Sequence, residues 1–231
     1  LSETLSEAFS SARRDRKGPL LARSAQSLRS ILAEAISRFR AASNQELAIS
    51  YAAEWVLDND YLVFQALRLL EEDFPPKFNN QLPKVVEGPE RGLPRVYLLA
   101  REIVARWKAN LDLEMIEQAL LEFQADHPLS IGELWALPLL LRLCTIQLIC
   151  ESAAHITGLS DEIERVNLPH APEIPGMTDD EIIASSFVSL RALASYDWKE
   201  FFERLNVTEK ILSADPAGVY PHMDFETRDG Y

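Results

Sequence analysis

From Leu134 to Cys150 runs the longest apolar stretch of the chain, interrupted by Arg142 and Gln147. The run falls short of the ~20 apolar residues that span a bilayer, so it reads as a helix buried on all sides by other segments. Its start is written locally. Ser130 and Glu133 form an S-x-x-E capping box, with Leu129 and Leu134 placed as the hydrophobic staple. Pro138 predicts a kink, because a proline within a helix leaves the carbonyl of Leu134 without its donor. The helix is expected to run towards Ala154.

The remaining segments supply amphipathic partners for it. From Ser24 to Ala42, Leu28, Ile31, Leu32, Ala35, Ile36 and Phe39 recur at three- and four-residue steps and draw one stripe on a helix. Gln45 to Phe74 repeats the pattern as one long helix stopped by Pro75-Pro76. Residues 77–94 read as a connector rich in proline and glycine. Helices follow over Arg95 to Lys108 and over Asp112 to Asp126, the second with Asp112 as N-cap. A second capping box, Thr178 with Glu181 and a Met177/Ile182 staple, opens a helix to Tyr196. Trp198 to Leu205 and Thr208 to Ala214 read as short helices.

Strand-like alternation is nearly absent, so the expected fold is all-α: a multi-helix bundle with a larger first helical group and a smaller second one. The expected organisation has four parts. Residues 1–22 form a weakly ordered lead-in with the basic cluster Arg13, Arg14, Arg16 and Lys17, and 23–157 the main helical domain. Residues 158–177 are a proline-rich connector, and 178–231 a second helical group packed on the first. The 231 residues suffice for a substantial core.

Charge excludes one class of partner. With Lys+Arg 23 against Asp+Glu 36 and a net charge of -13, the chain lacks the basic surface that nucleic acid requires. The N-terminus has no continuous apolar stretch after a basic start and does not resemble a secretory signal. Cys144 and Cys150 sit on different faces of one helix, too far apart to bridge, and read as reduced core thiols. His127, His155, His170 and His222 show no H-E-x-x-H spacing, and no metal site is expected. Phosphate-binding glycine motifs and the G-x-S-x-G elbow are absent from the sequence.

Several residues have the right type for chemistry. Glu54 and Asp58, with Asn59 beside them, share one helical face, the spacing that general acid/base work would use. The same spacing is common in solvated helix carboxylates and in side chains that bind neighbouring backbone. Trp55, Trp107, Trp135 and Trp198, with Tyr51, Tyr61 and Tyr97, suit either an aromatic platform for a sugar ring or a core. Trp135, Leu139 and Arg142 fall on one stripe, where Arg142 either clamps an internal carboxylate or lies along Trp135.

The strings AAEWVLDNDYLV (52–63), QLPKV (81–85), GLPRVYLLAREIVAR (92–106) and PLSIGELWALPLLLRL (128–143) resemble the amino-terminal soluble region of cyclic β-1,2-glucan synthases. YDWKEFFERL and DPAGVYPHMDFETRDGY (215–231) resemble the segment that precedes the glycosyltransferase part. The resemblance implies an all-helical module cut from a very large inner-membrane protein and lying on its cytoplasmic side. Such a parent builds glucan from UDP-glucose with a divalent metal, cyclises it, and trims it with a phosphorylase-like domain. The chain itself is expected to need no cofactor, to cross no membrane, and to meet the parent's other domains.

No catalytic residue is carried over. The polar residues inside the matching blocks, Glu54, Asp58, Asn59, Arg95, Tyr97, Glu133 and Arg142, are expected to lock helices together, since buried polar groups must be paired. Two further readings stay open. In one, Glu54 and Asp58 line a groove with Trp55 or Tyr61 and act in glucan chain transfer. In the other, aromatic faces bind β-glucan without chemistry.

Overall fold

The structure is a computed structural model that describes residues 3–14, 21–44, 50–166 and 169–206. Among them are ten helices and one short strand pairing. The chain runs α1 (Glu3–Ser11), β1 (Arg13–Arg14), α2 (Leu21–Asn44), α3 (Tyr51–Asp73), α4 (Pro76–Asn79), β2 (Pro83–Lys84), α5 (Arg95–Arg106) and α6 (Leu113–Phe123). It continues through α7 (Ile131–Thr157), α8 (Ser160–Arg165), α9 (Asp179–Ser195) and α10 (Trp198–Leu205). The architecture is an all-α bundle. Its strands are an accessory, joined antiparallel as Arg13 opposite Lys84 and Arg14 opposite Pro83.

Helix α7 is the axis, with α2, α3, α5 and α9 packed around it. Every residue from Leu140 to Cys150 is buried. Full burial of each such leucine or isoleucine contributes about 1.5–3 kcal/mol, which is why a helix apolar all round sits at the centre. It is the one described helix long and apolar enough to cross a membrane, and 94% of that apolar window is buried inside the protein. The capping box forms as the spacing predicts, and Gly158 ends the helix in the left-handed conformation (φ 71°) that glycine adopts without strain.

Several segments differ from the sequence reading. Helix α3 begins at Tyr51, where Ser50 accepts a hydrogen bond from the Ala53 N–H; the earlier residues 45–49 lie outside the described residues. The lead-in contains α1, whose Leu5 and Phe9 stand one turn apart and are buried. Composition hid this helix because its serines and glutamates dominate the count.

The connector after α7 contains α8 and is tied back to α7. The Gln147 amide donates to Pro169 O (2.7 Å), and Glu151 accepts from the Ala171 N–H (3.0 Å). Cys144 and Cys150 are free thiols, both buried. The expected helix at 208–214, His222 and the segment 215–231 lie outside the described residues.

Candidate functional site

Arg95 and Glu133 form the most developed polar junction. Arg95 opens α5, and its guanidinium grips Glu133 in a two-point pair: Nε to Oε1 at 2.7 Å and Nη2 to Oε2 at 2.9 Å. Its other donors reach Phe9 O (3.1 Å) and Pro128 O (3.2 Å), and its charge lies 4.5 Å from the centre of the Phe9 ring. Glu133 is 0% exposed and also accepts from the backbone N–H and the hydroxyl of Ser130. The pair thus caps α7, joins α5 to it and fastens α1 to α5.

Three more of the singled-out residues join elements. The Tyr97 hydroxyl donates to Gln147 Oε1 at 3.0 Å, linking α5 to α7, and burial pushes its phenol well above the ordinary range. Asn59 donates to Trp55 O (2.8 Å) and accepts from Arg191 of α9, whose guanidinium lies over the Trp55 ring. Arg142 forms no ion pair with a described carboxylate. It donates to Pro138 O (3.1 Å) and Leu193 O (2.5 Å) and faces the ring of Trp198 at 5.5 Å. Burial lowers its pKa, and the charge of Asp73 opposes that shift.

Glu54, Asp58 and Tyr61 stay on the exposed side of α3. The Trp55 ring turns inward, stacked at 6.3 Å on Phe187 of α9. The two carboxylates therefore share an exposed helix face with Tyr61, as their spacing requires.

Two grooves lie elsewhere on the described surface. One, about 760 Å³, lies between α1, α5 and the loop at 85–90, with Leu5 and Leu98 below and Glu7, Glu87 and Glu173 at the rim. Within it Arg101 is bonded to Glu90 at 2.7 Å. The other, about 580 Å³, runs over the first half of α7 between the end of α3, α4 and α10. Trp135 and Arg142 meet there with Trp198 and Phe202. No described cluster of three His, Cys, Asp or Glu side chains converges as a metal site.

No family model matches the chain. Over 149 residues it is 34% identical to the cyclic beta-(1,2)-glucan synthase NdvB of Rhizobium meliloti (strain 1021). The chain is related to the cyclic β-1,2-glucan synthases. The match takes in 64% of the chain and 5% of the relative's length, so the chain spans a small part of that glucan synthase.

Other joining positions in this glucan-synthase-related chain carry no signal in the sequence. Ser189 of α9 accepts from Leu111 N (2.8 Å) and donates to Ala109 O (2.5 Å), fixing the turn after α5, where Lys108 and Ala109 adopt positive φ. Asp180 accepts from the Ala52 N–H at 2.7 Å and so ties the start of α3 to the start of α9. A serine within a helix and an aspartate in its first turn carry no signal of partners 78 and 128 residues away.

Proposed function

We propose that this chain is a non-catalytic helical accessory module of a cyclic β-1,2-glucan synthase-like glycosyltransferase, holding the rest of that protein in place on the cytoplasmic side of a membrane. The observation that carries the reading is the use made of five of the seven polar residues singled out in the matching blocks, Glu54 and Asp58 being exposed. Arg95, Glu133, Tyr97, Asn59 and Arg142 are each bonded to another element or to the helix backbone, as in a part whose work is cohesion. UDP-glucose and a divalent metal would then act elsewhere in such a protein, whose other domains would be the partners of this one.

Complementation in trans tests the reading. A glucan synthase lacking the corresponding segment is assayed for glucan formation from UDP-glucose with and without this chain. The expected outcome is synthesis restored by the chain, and no sugar turnover by the chain alone. Glucan made equally well without it, or glucosyl transfer by the isolated chain, defeats the proposal.

A further inference from the structure

The stripe Trp135, Leu139 and Arg142, visible in the sequence, is one wall of the 580 Å³ groove over α7. That volume lies in the range of about 300–1,000 Å³ found for small-molecule sites. Flat aromatic groups surround it. Trp135 is 44% exposed and stacks on Phe202 of α10 (5.2 Å between ring centres, 11° between planes), with Trp198 and Phe78 completing the apolar surface.

Among the described residues two charged side chains line the groove, and they are of opposite sign. Arg142, 8% exposed, is buried with two carbonyl oxygens as hydrogen-bond partners and no carboxylate among the described residues. Asp73, exposed at the end of α3, is the charge that acts on it across the groove. An anionic ligand drawn to Arg142 is repelled by Asp73, and a cationic one drawn to Asp73 is repelled by Arg142, so the pair offers neither a net attraction. A neutral ligand rich in hydroxyls is opposed by neither, because each hydroxyl both donates and accepts. Its skeleton must also offer apolar C–H faces to the aromatic rings.

From this juxtaposition of flat aromatic faces with one guanidinium and one carboxylate, we infer that the groove binds a neutral hexopyranose chain, its rings against Trp135 and its hydroxyls between Arg142 and Asp73. The inference rests on the accessory-module reading only for the choice of linkage, β-1,2-linked glucose.

The chain is titrated with a linear β-1,2-linked gluco-oligosaccharide, and with β-1,4- and α-1,4-linked ones of equal length, following tryptophan fluorescence and calorimetric heat. Saturable binding with a Kd of about 1 mM or tighter is expected. It should weaken at least about tenfold in Trp135→Ala, a loss of about 1.4 kcal/mol, and in Asp73→Asn, with Trp135→Phe keeping part of the affinity. Asp73 is exposed, so its variant tests the site even if Trp135→Ala disturbs α10. Equal affinity for all three linkages supports the groove and counts against the glucan-synthase role. Preference for the β-1,2 chain supports both. Absence of binding by every probe, or binding that survives both Trp135→Ala and Asp73→Asn, overturns the site while leaving the complementation test untouched.

Discussion

Arg95 is committed to four acceptors, and the one that matters energetically is Glu133. A carboxylate that is 0% exposed was stripped of water on folding, and its remaining partners are the Ser130 hydroxyl and backbone N–H. Arg95→Ala leaves that charge uncompensated and should cost about 3–5 kcal/mol, measured by urea unfolding. A loss below about 1 kcal/mol would show that the pair behaves as a surface contact. Lys108 offers a test in the opposite direction. It is exposed with φ 49°, a conformation that crowds its Cβ. Lys108→Gly should therefore raise stability by about 0.5–1 kcal/mol, read as a higher Tm, after the entropy cost of glycine is subtracted. An unchanged or lower Tm would mean the turn is not strained at that residue.

At the scale of the element, α7 and α9 begin with the same local device in different surroundings. Thr178 and Glu181 cap α9 in the open, where bonds from the Thr178 backbone N–H and hydroxyl hold the Glu181 carboxyl below its usual range. Their contribution is present above the ordinary carboxylate pKa and fades as acid protonates Glu181. Ser130 caps α7 while its glutamate is buried and shared with Arg95. Thr178→Ala should cost about 1 kcal/mol, near the usual value of a cap, and Ser130→Ala more, towards about 2 kcal/mol. Thermal melts of the two variants decide it, and an equal or larger loss at Thr178 would contradict the account. Both caps were legible in the sequence because they close within four residues. Helix α1 is equally local but gives little signal, since Leu5 and Phe9 are only two large apolar points in a polar segment. Helix α8 was hidden inside a proline-rich stretch.

The whole molecule should respond to alkali more than to any pH near neutrality. Burial raises the thiols of Cys144 and Cys150 and the phenol of Tyr97. Burial and a bond to Glu117 push Tyr196 up to about 12. Because these groups hold their protons longer folded than unfolded, their contribution is complete below the unfolded values, about 8.5 for a thiol and about 10 for a phenol. It is lost as pH rises through the folded ones. Tm should stay level from neutrality to about pH 8.5 and then fall, and Tyr196→Phe should blunt the fall above about pH 10. A Tm unchanged to about pH 11 would remove the argument. With α7 in contact with α2, α3, α5 and α9, this loss should appear as one cooperative transition.

Periodicity and spacing by themselves settled that the chain is helical, where α7 and α9 start, and that α7 is enclosed, because each depends on bonds or faces repeating within four residues. They also placed Trp135 and Arg142 on one stripe. What that stripe faces was decided only by packing. Arg142 reaches Leu193 O, 51 residues along the chain, and Arg95 reaches Glu133 across 38. A helical repeat fixes the direction in which a side chain leaves its own axis, and it holds no information about which distant segment will be waiting there.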